Sequence, residues 1–309
     1  MTVRGEHRWL RRLLAGLEGS SRAVPVGPGD DAAVLRAERR PLVITTDALH
    51  EGVHFRDGWA SWPQLGRRAL RACLSDLSAM AAAPRASLLA LQVPRGMPER
   101  DLNAFARAFA AEGRRHGAPL VGGNVSRGAR FGATATLLGI LPRQTVTRAG
   151  ARPGDAIFVT GRVGGMAVAV RARRAGRRVP LPLPPVRLAA GMALAGLASA
   201  MLDVSDGVVQ DLGHLCRASR VGAELDMARL PLAPACRRLG VAGRALAATG
   251  GEDYELLFTV PARRLPRLAR VRLGCRVTRI GTILPGRHVR VLDGGRVLHL
   301  RREGFDHFG

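Results

Sequence analysis

The chain has 309 residues, 47% of them hydrophobic, enough to bury a full core and to divide into two domains. Its 48 basic residues, all arginine, stand against 24 acidic ones for a formal net charge of +24. They are scattered and aromatics make up only 4%, so the charge reads as the output of a GC-rich coding sequence, and a nucleic-acid partner is not expected.

In chain order, residues 4–17 read as a short amphipathic helix, without the continuous apolar core or the small-residue cleavage site of a signal peptide. Gly27-Pro28-Gly29-Asp30-Asp31 makes a turn before the short apolar stretch 32–35. A strand is predicted over 41–47, a helix over 62–80, a strand over 86–93, and a helix over 97–116 with Pro98 in its first turn and Gly117 at its end. Leu120-Val121-Gly122-Gly123-Asn124-Val125-Ser126 is an apolar strand breaking into a glycine turn, and 132–141 is another strand.

Turn residues cluster over 148–155, which marks the passage to a second domain. A strand over 156–160 follows, then a helix opening at Gly161–Gly165 and running to about residue 174, and a proline-rich loop over 179–185. The apolar segment 188–202 reads as a packed helix, short of the ~18 to 20 residues that span a bilayer. Beyond it come a helix to residue 219, a strand entered through 251–260, a basic helix over 262–273 and a terminal β region. The order of elements predicts an α/β (α+β) chain: a mixed-sheet N-terminal domain over 1–145 and an α/β domain over 146–309. Cys73, Cys216, Cys236 and Cys275 are widely separated, which suggests neither a zinc site nor a disulfide framework and fits a cytoplasmic protein.

The scarce acids gather at strand ends and glycine turns. Asp203 and Asp206 follow an apolar run and precede Gly207 and Asp211; Asp47 ends a β-branched run, with Glu51 after it. Asp30-Asp31, Ser75-Asp76 and Glu252-Asp253-Tyr254-Glu255 complete five acidic corners. Taken singly, Asp30, Asp155 and Asp203 are ordinary turn or cap residues, and Glu252 is as readily a cap. Taken together, the corners supply hard oxygen ligands for several magnesium ions, which take one or two carboxylates each. No P-loop lysine is present, so phosphate charge would be met by metal and arginine. His54, in Glu51-Gly52-Val53-His54-Phe55, follows the strand end by one short loop.

At these residues the sequence resembles the thiamine-monophosphate kinases of the aminoimidazole ribonucleotide synthetase-like superfamily. The matching stretches run from Gly29-Asp30-Asp31-Ala32-Ala33 through Thr45-Thr46-Asp47, Leu74-Ser75-Asp76-Leu77, Arg152-Pro153-Gly154-Asp155, Asp203-Val204-Ser205-Asp206-Gly207 and Gly251-Glu252-Asp253-Tyr254-Glu255 to Gly304-Phe305-Asp306-His307-Phe308, in the family's order. The resemblance implies a two-domain fold with a cleft, transfer of the γ-phosphoryl of ATP to thiamine phosphate, and a homodimer formed through the N-terminal domain. It implies that Asp31, Thr45, Thr46, Asp47, Asp76, Asp203 and Asp206 bind magnesium, that Gly123, Arg148 and Ser205 contact ATP, and that His54 and Glu252 contact thiamine phosphate.

Three residues depart from the family pattern. Asn124 stands where an aspartate is common and would offer magnesium a carbonyl without a negative charge. Gly164-Gly165 replaces a usual Gly-Asp, and Arg302 replaces an aromatic that packs on the substrate, leaving Arg302 to meet a phosphate or to stay on the surface. Two alternatives stay open: an enzyme of the superfamily with another acceptor, and a nucleotide-binding protein with impaired catalysis.

Overall fold

The computed structural model describes Trp9, Leu13, residues 21–28, 32–37 and 39–300, Gly304 and Phe305. Of the helix expected over 4–17, Trp9 and Leu13 are described; both are helical and buried, and the Trp9 indole donates to Asn103 (2.8 Å). The chain divides into two compact units, one of residues 1–77 and 83–142, the other of residues 78–82 and 143–309.

In the first unit, β1 (Leu42–His50), β2 (Ala83–Val93), β3 (Leu120–Arg127) and β4 (Gly132–Ile140) form a sheet in the order β1-β4-β2-β3. β1 and β2 flank β4 antiparallel, while β3 lies parallel to β2 and therefore needs a crossover. Helix α2 (Glu99–Arg115) provides it, with Glu99 and Asp101 in its first turn and Arg114 and Arg115 in its last, as the helix dipole favours. Helix α1 (Trp62–Ala79) buries Leu70, Leu74 and Leu77 along one face and Leu65 on another, and α2 buries Leu102, Phe105 and Phe109. The two helices meet where Gly66 approaches the Phe105 carbonyl; a β-carbon there would lie 2.2 Å from that oxygen.

Strand alternation divides the residues of this sheet between two faces. Thr45, Asp47, Leu89 and Leu137 point to the helical side, whereas Ile44, Thr46, Leu88, Thr136 and Asn124 occupy the other. Val24, Ala33 and Leu35 pack over part of that second face against Ala86, Val121 and Leu138. Leu42, Ile44 and Leu88 on it remain 57%, 65% and 36% exposed.

The second unit carries a seven-stranded sheet of β5 (Ala156–Thr160), β6 (Ala200–Asp203), β7 (Gly222–Asp226), β8 (Leu256–Val260), β9 (Val277–Leu284), β10 (Val289–Asp293) and β11 (Arg296–Leu298), in the order β11-β10-β7-β9-β5-β8-β6. Its helices are α3 (Gly165–Arg174), α4 (Leu188–Leu194), α5 (Val208–Ser219), α6 (Pro234–Arg237), α7 (Gly240–Thr249) and α8 (Leu265–Leu268). Two apolar clusters take alternate residues of the same strands: Ala200, Leu202 and Leu257 join α5 and α7, while Met201, Leu256 and Phe258 join α4. A sheet buried on both faces explains why β5, β6 and β8 carry apolar residues at successive positions, with Thr160, Asp203 and Thr259 their only polar members.

Two expected helices are corrected. The segment 188–202 splits, because Gly196 takes a left-handed φ of 81° after α4 and the chain then pairs with β8 as β6. The basic helix over 262–273 reduces to a 3-10 turn at Ala262–Arg264 and the four residues of α8, neither of which buries a residue. Leu265, Leu268 and Val271 do pack against the second apolar cluster but stay only partly buried, and Pro266 has no N–H to give a longer helix. Among the described residues no helix is long and apolar enough to cross a membrane.

Candidate active site

In the first unit, β1 and α1 bring three of the expected ligands together. Thr45 and Asp47 are two residues apart on one face of β1, and Asp76 lies one turn beyond Cys73 on α1. The Thr45 hydroxyl donates to Asp76 Oδ2 (2.5 Å), and Asp47 Oδ1 accepts the Ala48 N–H (2.7 Å). Between them Cys73 donates to the Ala135 carbonyl (3.3 Å); burial, then the charges of Asp47 and Asp76, hold its thiol well above the usual range. A protonated thiol leaves this corner to hard oxygens, the donor set that magnesium takes.

Thr46 and Asn124 do not join that group through their side chains. The Thr46 hydroxyl faces β4, donating to the Ala135 carbonyl (3.1 Å) and accepting from Thr136 (3.1 Å). Asn124 is exposed opposite Ala90 on β2. Gly123 sits so close to β2 that a β-carbon would lie 2.0 Å from the Leu89 carbonyl, so any side chain would force the strands apart. His54 lies in the tight loop after β1, with its Nδ1 accepting the His50 N–H (3.0 Å). Asp31 and Arg302 lie outside the described residues.

In the second unit, β6 delivers Asp203, buried, to the turn that starts α5. Gly207 caps that helix at φ 125°, and a β-carbon there would strike Thr249, so only glycine lets the chain turn here. Asp211 reaches back from the first turn of α5 and accepts the N–H groups of Asp206 (3.0 Å) and Gly207 (3.1 Å). Burial and the negative charges of Asp206 and Asp203 nevertheless push its carboxyl up to about 7. Ligand atoms of Asp206, Asp211 and His214 lie within 4.8 Å of one another. Negative charge is thus crowded at this turn beyond what its hydrogen bonds offset, and a bound cation would relieve it.

Cationic groups border the same turn. Burial and the nearby guanidiniums of Arg217 and Arg148 hold the His214 imidazole below its usual range. Ser219 Oγ, at the end of α5, donates to the Arg148 carbonyl (2.9 Å) and fixes the backbone that carries this exposed arginine. At its other side the turn meets Phe305, whose N–H donates to the Asp206 carbonyl (3.0 Å) and whose carbonyl accepts from Gln210 (2.9 Å).

The Gly250–Glu255 corner divides its acids between two purposes. The N–H groups of Glu252 and Tyr254 donate to the carbonyls of Ser205 (2.7 Å) and Val204 (2.8 Å), binding this strap to the Asp206 turn. Both residues hold left-handed φ angles, 65° and 52°, which non-glycine residues rarely adopt and which cluster at functional sites. Asp253 and Glu255 point inward instead, correcting their reading as metal-facing acids. Asp253 Oδ2 accepts the Gly164 N–H (2.6 Å) at the start of α3, while Glu255 takes the Thr160 hydroxyl (2.6 Å) and both Nε (2.6 Å) and Nη2 (2.7 Å) of Arg187. Asp155 is a turn carboxylate, bound by Ser199 Oγ (2.6 Å) and the Arg152 N–H (3.0 Å).

Burial pushes the Asp253 carboxyl from its ordinary 3.8 up to about 8. Between those values the folded chain keeps a proton that the unfolded chain has lost, so this residue makes stability fall as pH rises from about 4 to about 8. Asp253→Asn keeps the shape and removes the titration. Urea unfolding at pH 5 and pH 8 should show a smaller loss in the variant; an identical loss would mean that Asp253 is ionised in the fold.

Residues 29–141 match the N-terminal domain of AIR synthase related protein, and residues 152–294 match its C-terminal domain. The chain is 36% identical to the thiamine-monophosphate kinase of Escherichia coli O157:H7 over 98% of each chain. The chain belongs to the thiamine-monophosphate kinase family. In structure it is similar to the thiamine-monophosphate kinase of Stenotrophomonas maltophilia K279a, with a TM-score of 0.80, 33% identity, and coverage of 96% of this chain and 99% of that one. It is similar also to AaThiL complexed with AMPPCP and TMP, with a TM-score of 0.76 and 27% identity over 98% and 99% of the two chains.

Proposed function

We propose that the chain transfers the γ-phosphoryl group of ATP to thiamine phosphate, giving thiamine diphosphate and ADP, with magnesium, in the cytoplasm. The observation that carries this reading is the end-to-end likeness to chains named thiamine-monophosphate kinase, in a molecule that keeps Thr45, Asp47 and Asp76 as one oxygen-rich group.

Asp31, Asp47 and Asp76 would hold magnesium with Thr45, and Asp203 and Asp206 would hold it at the second turn. Thr46 belongs to a pair whose main-chain groups point to the open edge of β1, so it would contribute its carbonyl, and Asn124 its side-chain oxygen. Bound magnesium would supply charge neutralisation at the phosphates and orient them for in-line transfer. Gly123, lacking a side chain, lets ATP approach the backbone; Ser205 and Arg148 contact it, the latter as a cation. His54, Glu252 and Arg302 receive thiamine phosphate, Glu252 matching its thiazolium charge. The accepting phosphate has a second pKa of ~6 and is ionised at neutral pH, so the residues need to position and neutralise more than to remove a proton.

ADP release measured against a panel of phosphorylated and carbonyl acceptors tests the reading: thiamine phosphate should stand out, and equal release with another acceptor would favour a different enzyme of the superfamily. The exposed apolar side of the first sheet supports a homodimer, since such a face is costly to leave in water. Sedimentation should give a dimer for the parent chain and a monomer for Ile44→Glu. A monomeric parent would remove the assembly.

A further inference from the structure

β1 is the edge strand of its sheet, and its pairing with β4 runs without a bulge to His50 opposite Gly132. The next pair, Glu51 with Phe131, is hydrogen-bonded through Glu51 N–H to the Phe131 carbonyl (3.0 Å). By alternation the His50 N–H therefore points away from β4, to the open edge. His54 Nδ1 accepts it (3.0 Å), and the His50 carbonyl in turn accepts the N–H groups of Val53 (3.3 Å) and His54 (2.9 Å). A main-chain N–H can only donate, so Nδ1 presents its lone pair and the proton of the neutral ring sits on Nε2.

The loop that sets this geometry is clamped at both ends. The reciprocal bond of the Glu51·Phe131 pair goes to a side chain: Phe131 N–H donates to Glu51 Oε2 (3.2 Å). Gly52 turns at φ 90° and donates to the Phe55 carbonyl (2.7 Å), while Phe55 and Phe131 pack edge to face, 6.3 Å between centroids, within a group that includes Trp62 and Phe105.

We infer that His54 acts as a neutral Nε2–H donor to an oxygen of the accepting phosphate, and that Glu51 is a positioning residue that fixes this tautomer through the Phe131 clamp. The donor role rests on the reaction proposed above; the tautomer does not. A ring protonated at Nε2 has no lone pair there to take a proton, so His54 binds the acceptor without serving as its base.

Imidazole nitrogen NMR of the full chain at neutral pH, with His54 assigned by loss of its signals in His54→Asn, reads the tautomer directly. The parent should show a lone-pair Nδ1 and a protonated Nε2; a protonated Nδ1 or an even mixture overturns the inference. Glu51→Ala should mix the tautomers and raise KM for thiamine phosphate about tenfold, with KM for ATP unchanged. Glu51→Gln, whose carbonyl still accepts the Phe131 N–H, should restore both. A tautomer unchanged in Glu51→Ala removes Glu51 from the role. A fixed Nε2–H ring in a chain that does not turn over thiamine phosphate would count against the donor role and the assigned reaction, leaving the tautomer standing.

Discussion

Asp206→Asn should lower turnover of ATP and thiamine phosphate by about a hundredfold to a thousandfold while leaving the fold in place. Among the described residues the carboxylate accepts one long side-chain bond, from Gln210 (3.3 Å), whereas the turn is held by main-chain groups: Asp206 N–H to Asp211, its carbonyl to Phe305, and Gly207 at its positive φ. Asparagine keeps all of these. It removes one of the charges that push the Asp211 carboxyl up, so stability above neutral pH should stay level or rise by up to ~0.5 kcal/mol. Circular dichroism and urea unfolding beside the kinetic assay separate the two effects. Turnover within a factor of three of the parent would show that Asp206 holds no metal during transfer.

Glu255→Ala should have the opposite character: a large loss of stability from a residue that was placed among the candidate acids by sequence alone. Glu255 is buried and accepts Nε and Nη2 of Arg187 together with the Thr160 hydroxyl, and the Arg162 N–H (3.3 Å) adds a fourth donor. Truncation strands the Arg187 charge, leaves Thr160 without an acceptor, and opens a gap where Gly161 already gives up its side chain; a β-carbon on Gly161 would lie 1.7 Å from Glu255 Oε1. Removing one partner of such a pair costs about 3–5 kcal/mol. Urea unfolding should show a loss in that range, and a loss under ~1 kcal/mol would mean that the pair is solvated.

Glu252, half-buried, and the buried pair Asp253 and Glu255 show where the sequence stops being informative. They stand in one run beside Gly251, and nothing in their spacing says that the chain turns left-handed at Glu252 and Tyr254 and buries Asp253 and Glu255. Asp203 was legible only in part: acid and glycine after an apolar run placed its carboxylate at a turn, but the run itself reads as a helix where β6 is a strand. Strand alternation also separates Thr45 and Asp47 from Thr46, although their shared motif suggests one ligand set. The helix and strand order of the first unit was legible because α1, α2 and the strands keep clear apolar periods. β7 and α7 were not: Gly222–Asp226 is five residues with a mixed pattern, and Gly240–Thr249 is an alanine- and glycine-rich helix whose formation depends on tertiary packing of Ala247 and Ala248.

Phosphorus NMR of the purified chain with ATP, magnesium and thiamine phosphate follows the transfer itself. Diphosphate signals of thiamine diphosphate and of ADP should grow together as ATP and thiamine phosphate decline, and should stop growing when magnesium is chelated. ATP that binds yet stays intact in the presence of thiamine phosphate and magnesium would contradict the account.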